Sequence, residues 1–276
     1  KYFQDKEAVA IMKHTVVSGF ATQHSSIPKR SQTELFRLAR DADLLSNFGG
    51  TAVFTQPLNL ETAEAFYELR EVNNFFVDVV AAPEYDLGVV GFLERKSPNL
   101  RIGQFSSLDA MPRFKGDDTH GLLSFKEMPT GRYGIQTLFL TSIRSPEDLV
   151  LRPYVINKDA KYEIQREPSS LELEDMLTAW WVNLAGARSN GVAFLRNGVS
   201  TAISSGKVAR VKAFRDAITN GMQNAMSREG IQFDPLMGIC GYEKLRDNPF
   251  VGSVLSSDAF LPFEDSIEEA ARVGVR

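Results

Sequence analysis

The feature that most constrains the fold is the dipeptide Asn197-Gly198, which separates two short runs of strand-forming residues at 193–195 and 199–203. Both central residues of a type I′ turn need a positive φ, and Asn-Gly between apolar runs is the strongest short-range signal for a β-hairpin. After the small residues 204–206, apolar side chains recur every three or four positions, at Val208, Val211, Phe214, Ile218 and Met222. This spacing predicts an amphipathic helix. Residues 192–222 are therefore predicted to form a hairpin followed by a helix.

Two basic residues, Lys207 and Arg210, lie in the predicted first turn of this helix. The free N–H groups and the positive dipole end of a helix attract anions, and two cations would strengthen that attraction. The turn therefore predicts a phosphate site. The alternative is a surface helix with a solvated basic face, which the same residues would also produce.

Composition excludes several classes of protein. The formal net charge of −4 and the pI near 5.6 argue against a general nucleic-acid binder. The single cysteine, Cys240, can form neither an internal disulfide nor a Cys-based zinc site, and it fits a reducing cytoplasm. No apolar run approaches membrane-spanning length. We therefore expect a cytoplasmic protein that binds neither membranes nor nucleic acid.

The first half of the chain alternates predicted strands and helices. Short apolar runs predict strands at 8–12, 51–55, 75–82 and 100–105, with helices between them. This order predicts an α/β fold with a mostly parallel sheet covered by helices. Residues 106–165 are predicted to be a loop-rich connection that contains two or more strands and a domain boundary.

Capping residues predict where several helices begin and end. Capping boxes are predicted at Ser31 with Glu34 and at Ser169 with Glu172. Asn59 is a third predicted cap. In the second half, Asp265 is predicted to cap a final helix that ends before Gly274.

Lys13 and His14 follow the first predicted strand directly. Histidine is the side chain best placed to act as a general base near neutral pH. An adjacent lysine would oppose protonation of His14 and could stabilise a developing oxyanion. The pair is therefore a candidate catalytic site. The alternative is a charged, solvated strand end.

Other polar and aromatic residues allow two interpretations each. Asp78 interrupts an apolar strand, so it is either a ligand contact or a partnered structural acid. Asn190 is either a polar clamp or a turn residue. Phe260 and Pro262 either wall an apolar pocket or belong to the core. The remaining histidines have no partner at metal-ligand spacing, so no metal site is predicted.

Six stretches, taken in order, resemble the AICAR transformylase family, which provides the formyl-transfer half of a bifunctional enzyme of purine synthesis. They are Ile11-Met12-Lys13-His14 to Ser18-Gly19, Ala42-Asp43 to Gly49-Gly50, Val77-Asp78 to Ala82-Pro83, Ser189-Asn190, Asn197-Gly198 with Gly206 to Arg210, and Ser257-Asp258 to Glu264-Asp265. The resemblance covers roughly residues 1–105 and 165–276.

The resemblance implies a fold, a reaction and an assembly. The fold would be two cytidine-deaminase-like α/β/α units with mostly parallel or mixed sheets, at 1–125 and 166–276, joined by a connection at 126–165. The reaction would move a formyl group from 10-formyltetrahydrofolate to the 5-amino group of 5-aminoimidazole-4-carboxamide ribonucleotide. The family forms homodimers with active sites at the subunit interface. It needs no zinc, and the zinc signature of the deaminases is absent here.

By the same resemblance, His14 would be the general base, Lys13 would assist formyl transfer, and Asn190 would hydrogen-bond the reacting groups. The residues implied to hold the ribonucleotide are Gly49, Asp78, Lys207 and Arg210. Those implied to line the folate side are Phe48, Phe260, Pro262 and Asp265.

One family segment, Leu-Arg-Tyr-Gly-x-Asn-Pro-His-Gln, has no counterpart upstream of Lys1. Residues 132–134 share its Arg-Tyr-Gly core but lack the continuation and lie in the wrong order. We therefore expect a truncated or divergent member of the family. The alternative to an active formyltransferase is a non-catalytic nucleotide-binding or structural relative that has lost terminal substrate contacts.

Overall fold

The protein is represented by a computed structural model that describes residues 1–70, 74–106, 108, 111–151, 154–157, 160–164, 166–187, 189–234, 241–258, 261 and 263–275. Its described residues group into a smaller unit, Lys1–Tyr2 with Ser107–Glu167, and a larger unit, Phe3–Ser106 with Pro168–Arg276. Candidate site residues from both halves of the sequence lie in the larger unit. The expected division at 1–125, 126–165 and 166–276 stays a prediction.

The strands, in chain order, are β1 Ala8–Lys13, β2 Val16–Thr22, β3 Gly50–Phe54, β4 Val77–Ala82, β5 Arg101–Gln104, β6 Ser124–Glu127, β7 Tyr133–Gln136, β8 Tyr154–Asn157, β9 Ala160–Glu163, β10 Val192–Arg196, β11 Val199–Ser204 and β12 Val254–Ser257. Within the described residues, eight of them form one sheet in the order β12-β10-β11-β2-β1-β3-β4-β5. The sheet therefore combines strands from both halves of the chain.

The sheet is mixed. β3, β4 and β5 are parallel, whereas β1 pairs antiparallel with β2 and β3, and β10 pairs antiparallel with β11 and β12. The predicted α/β class with a mixed, helix-covered sheet is confirmed. The mostly parallel arrangement expected for the first half is restricted to β3–β5, because β2, which was not predicted, folds back on β1 as a hairpin. The cytidine-deaminase-like character stays a prediction.

The two halves of the sheet meet where β2 lies beside β11. Ala21 pairs with Val199, and the N–H of Thr22 donates to the carbonyl oxygen of Gly198 over 2.9 Å. The hydroxyl of Ser200 accepts from the N–H of Phe20 over 2.9 Å. These contacts join strands that are far apart in the sequence.

The helices are α1 Gln32–Ala42, α2 Leu60–Ala65, α3 Val89–Lys96, α4 Ser170–Gly186, α5 Arg210–Arg228 and α6 Asp265–Arg272. The capping boxes of α1 and α4 and the Asn59 cap of α2 are confirmed. Gly274, with φ +87°, follows the end of α6 as predicted. Local polar signals therefore located these helix ends correctly.

Two predicted helix starts were wrong. α5 begins at Arg210 rather than near Lys207, because Asn190 exchanges backbone hydrogen bonds with Lys207, with N···O distances of 3.2 and 3.4 Å. Val208 therefore lies outside the helix and is 94% exposed. Asp265 is the first residue of α6 rather than its cap, since its carboxylate accepts from the neighbouring Ser266.

Close packing of α1 against β2 places the first hairpin beside α1. A Cβ at Gly19 would overlap the carbonyl oxygen of Ala39, so only glycine permits this approach. Phe36 of α1 packs with Phe54 and Phe75 in a cluster of buried side chains. A second buried cluster, which includes Phe194 and other side chains, packs α5 against the β10–β11 hairpin. These clusters make the sheet a rigid support for its loops.

The smaller unit contains, in its described part, the antiparallel hairpins β6–β7 and β8–β9. This agrees with the two or more strands predicted within 106–165. Across both units, none of the described helices combines the length and apolar character needed to cross a bilayer.

Candidate active site

The predicted catalytic histidine lies in a two-residue turn between β1 and β2. Lys13 ends β1, and His14 and Thr15 follow with φ values of +52° and +65°. Positive φ is uncommon for residues other than glycine and is a genuine outlier for a β-branched residue such as Thr15. The turn is therefore strained, and it places the exposed imidazole of His14 beyond the end of the sheet.

The ammonium group of Lys13 is held at two points. Nζ donates to the carbonyl oxygen of Ser46 over 2.9 Å and lies 3.7 Å from the ring centroid of Phe48. The second contact is a cation–π interaction. Lys13 is therefore directed toward the loop between α1 and β3.

Gly49 joins this loop by a hydrogen bond to Phe76, the residue before β4. Its φ is +67°, and its N–H donates to the carbonyl oxygen of Phe76 over 2.8 Å. A Cβ at Gly49 would lie 3.3 Å from Cζ of Phe76 and 3.6 Å from Oδ2 of Asp78. The structure thus brings Lys13, Phe48, Gly49 and Asp78, four of the predicted site residues, to one end of the sheet.

Asp78 is exposed, which differs from the expectation of an acid inside a buried strand. It is the second residue of β4 and lies near the strand end, so its carboxylate bears little desolvation cost. A buried structural partner is therefore not needed to explain it.

The loop that carries Ser46, Phe48 and Gly49 is anchored by two buried asparagines. Asn47 donates from Nδ2 to the carbonyl oxygen of Arg40 over 2.7 Å, and its Oδ1 accepts from the hydroxyl of Ser18 over 2.5 Å. Asn224, on α5, bonds to Asp43 and to the backbone of Leu45. Neither asparagine was predicted as a site residue, although an Asn on the apolar face of α5 was a usable signal.

A cleft of about 210 Å³ opens beside the turn, with Lys13, His14, Asp43, Lys207 and Asp216 among its lining residues. Burial raises the pKa of Asp43, although hydrogen bonds from Asn224 and from Ser46 favour its charged form. The cleft therefore places a base, two cations and two carboxyl groups around a space that a small ligand could enter.

Lys207 lines this cleft and pairs with an acid. Its Nζ lies 3.1 Å from Oδ2 of Asp216, which also accepts from the hydroxyl of Ser204 over 2.8 Å. The carbonyl oxygen of Lys207 accepts from Nδ2 of Asn190 over 2.8 Å. Lys207 thus connects the His14 cleft to a second group of predicted site residues.

That second group is centred on Arg210. Its guanidinium donates to Asn190 Oδ1, Ser257 Oγ and Asp258 Oδ1 over 2.5, 2.6 and 2.7 Å. Burial opposes the charge on Asp258, but hydrogen bonds from Arg210, from Ser189 and from the N–H of Gly191 hold the pKa of its carboxyl below the ordinary value. Asp258 is a partner of Arg210 that was not predicted among the site residues.

Three predicted site residues remain, Asp265, Phe260 and Pro262. Asp265 lies at the start of α6, where its carboxylate accepts from Ser266. Phe260 and Pro262 lie outside the described residues. Among the residues that are described, no three or more His, Cys, Asp or Glu side chains are arranged to hold a metal ion.

Comparison with known proteins adds the family. Residues 1–220 match the family described as AICARFT/IMPCHase bienzyme. This match covers well over half of the chain. The protein therefore belongs to the AICARFT/IMPCHase family, as its sequence resemblance implied.

Individual relatives agree with this assignment. Over 275 residues, covering 99% of the chain, it is 30% identical to the bifunctional purine biosynthesis protein PurH of Aquifex aeolicus. It is 26% identical over 272 residues to PurH of Persephonella marina and 30% identical over 243 residues to PurH of Deinococcus radiodurans. The chain spans 42%, 42% and 36% of these three proteins, respectively.

Proposed function

We propose that this protein transfers a formyl group from 10-formyltetrahydrofolate to the 5-amino group of 5-aminoimidazole-4-carboxamide ribonucleotide, as part of purine biosynthesis. The observation that carries the proposal is the Lys13-His14 pair at the β1–β2 turn, with His14 exposed and both residues lining one cleft. Membership of the AICARFT/IMPCHase family and similarity to PurH proteins support the same reaction.

In the proposed mechanism, His14 accepts a proton as the weakly nucleophilic amine attacks the formyl carbon. Lys13 stabilises the negative charge that develops on the formyl oxygen, and its contacts with Ser46 and Phe48 orient the ammonium beforehand. Asn190 hydrogen-bonds the reacting groups. The bond between the formyl carbon and N10 of the folate then breaks, and N10 receives the proton that the amine lost.

The substrates divide between the two groups of residues. Gly49, Asp78, Lys207 and Arg210 hold the ribonucleotide. Lys207 and Arg210 both have carboxylate partners here, so a phosphate that binds them competes with Asp216 or Asp258.

Phe48 binds the folate in this proposal, and the family resemblance assigns Phe260, Pro262 and Asp265 to the same ligand. Further parts of the proposal are a homodimer with its active sites between subunits and a cytoplasmic location. The homodimer rests on the family resemblance, and the cytoplasmic location rests on the single cysteine, which fits a reducing compartment.

The test compares a His14→Ala variant with a His120→Ala control, since His120 is an exposed loop residue of the smaller unit. Formyl transfer is measured with both substrates present, and ribonucleotide binding is measured by calorimetry. We expect His14→Ala to lower kcat by about 10²–10⁴, the usual effect of a general base, and His120→Ala to leave it unchanged.

Two outcomes contradict the proposal. A wild-type chain that binds the ribonucleotide without transferring formyl would be a non-catalytic nucleotide-binding relative. A chain that neither binds nor transfers would remove the site assignment as well.

A further inference from the structure

A second cleft, of about 370 Å³, adjoins the candidate site on the side of Asp78. Phe76 and Asp78 line it and also surround Gly49, so the cleft continues the row of groups that begins at Lys13. Arg70, Lys96 and Asn99 also line this cleft. The proposed mechanism leaves these three residues unused.

Two of these lining residues are positively charged. Arg70 and Lys96 are both exposed, and neither has an ion-pair partner among the residues that the structure describes. Asp78 is the one carboxylate that lines the cleft within the same described part, and it lies at the Gly49 end. An anion that enters the cleft therefore meets two cations that have no ion-pair partner among the described residues, together with the amide of Asn99.

Two exposed aromatic rings lie between Lys13 and the cleft that Arg70 and Lys96 line. Phe48 and Phe76 are 44% and 43% exposed, and their ring centroids lie 6.4 Å apart. Half-exposed aromatic side chains beside a polar cleft are typical of surfaces that bind a flat apolar group. Lys13, Phe48 and Phe76 thus form a row that reaches the cleft lined by Arg70 and Lys96.

We propose that Arg70 and Lys96 form an anion subsite, which binds the carboxylate or phosphate end of a substrate whose ring system lies against Phe48 and Phe76. The inference deepens the proposed function and rests on it. The oxyanion has two sources: the glutamate carboxylates of the folate donor, or the 5′-phosphate of the ribonucleotide, which would then not bind Lys207 and Arg210.

The test replaces both cations, as the double variant Arg70→Gln with Lys96→Gln. Arg95→Gln is the matched control, because Arg95 is an exposed neighbour on α3 that does not line the cleft. KM and kcat are measured with monoglutamyl and pentaglutamyl folate donors, and with the ribonucleotide and its nucleoside. Because the subsite binds a group remote from the reacting atoms, we expect KM to rise roughly tenfold and kcat to change little.

The substrate affected identifies the anion. A rise confined to the folate donor, larger for the pentaglutamyl form, assigns the subsite to the glutamate carboxylates. A rise confined to the ribonucleotide and absent for the nucleoside assigns it to phosphate. Unchanged KM values for both substrates in an otherwise active double variant would overturn the subsite and leave the proposed function intact.

Binding separates the two proposals if the wild type does not transfer formyl. Calorimetry with pentaglutamyl folate and with the ribonucleotide is then compared between wild type, control and double variant. Loss of affinity for either ligand only in the double variant supports the subsite although the formyl-transfer proposal has failed. Absence of binding, or equal binding by all three proteins, overturns it.

Discussion

Asn224 on α5 donates from Nδ2 to Oδ1 of Asp43 over 3.1 Å, while its own Oδ1 accepts from the N–H of Leu45 over 3.1 Å. A single buried side chain thus fixes the start of the loop that carries Ser46, the acceptor for Lys13. Helix α5, which follows the β10–β11 hairpin, thereby positions Lys13 of the β1–β2 hairpin. We expect its contribution to the site to act through the position of Lys13.

Asn224→Ala should therefore affect both stability and turnover. Removing a buried amide that makes these hydrogen bonds costs about 1–3 kcal/mol of unfolding free energy. With Ser46 displaced, we expect kcat for formyl transfer to fall roughly tenfold with a smaller change in KM, because Lys13 loses its orientation. Asn220→Ala, one turn earlier on α5, is the control for urea unfolding and kinetics. An unchanged kcat in a destabilised Asn224→Ala protein would disprove the positioning role.

Gly49→Ala should lower the unfolding free energy more than Gly88→Ala does. Both glycines have positive φ, +67° and +87°, so an alanine at either position is strained by about 1–2 kcal/mol. Only at Gly49 would the new Cβ also press on a ring, that of Phe76, whereas at Gly88 it meets open space. Urea unfolding should show the larger loss for Gly49→Ala, and formyl transfer should fall only in that variant. Equal losses would show that the Phe76 contact relaxes without cost.

Arg210→Met should strongly destabilise the protein. The Arg210 side chain is 10% exposed, and its removal leaves the carboxylate of Asp258 without its cation. Breaking such a pair from one side costs about 3 kcal/mol. Arg246→Met is the control, since that residue is 85% exposed and lies 3.5 Å from Glu229, so its loss should cost under about 1 kcal/mol. Similar urea midpoints for the two variants would contradict this ranking.

The same pair predicts a response to acid. The folded pKa of Asp258 lies below its ordinary value of 3.8, so the pair stabilises the fold fully above that pH. The contribution is lost as the pH falls through the folded pKa. Asp258→Asn should therefore narrow the difference in unfolding free energy between pH 6 and pH 3. A wild-type difference that the variant fully retains would assign it to other carboxylates.

His24 should make the stability of the fold depend on pH in a second, higher range. It is fully buried, and its Nε2 lies 3.1 Å from Oγ1 of Thr178, with Glu174 and Asp175 on its other side. Burial lowers the pKa of His24, outweighing these acids; Lys6 and Arg30 also lower it. Its stabilising contribution is therefore present above 6.5 and lost as the pH falls below it.

Thermal unfolding at pH 7.5 and pH 5 tests this effect. His24→Gln should flatten the decline in Tm toward pH 5, whereas His120→Gln in an exposed loop should not. A decline of equal size in His24→Gln would show that His24 does not cause it.

Local signals made much of the fold predictable. The Asn197-Gly198 turn, with φ values of +55° and +75°, and the cap at Ser31 depend on residues a few positions apart, and both are confirmed. β2 was missed because its turn, His14-Thr15, lacks the Gly or Asn that normally marks positive φ. The antiparallel start of the sheet followed from that one unrecognised turn.

The site was predictable only in part, for a related reason. The resemblance located Lys13, Phe48, Gly49 and Asp78, and the structure places them together. The bond between Asn224 and Asp43 spans 181 positions, so no local pattern reports it. Partners of that kind are fixed by tertiary packing, which a single sequence does not reveal.

The junction of β2 with β11 sets an order of events during synthesis on the ribosome. Ala21 leaves the ribosome long before its partner Val199, and at about 5–20 residues per second the delay is on the order of 10–40 s. Throughout that delay one edge of β2 has no strand to pair with, and an open edge invites pairing with other chains. The nascent chain is therefore most prone to aggregate before the Asn197-Gly198 hairpin has emerged.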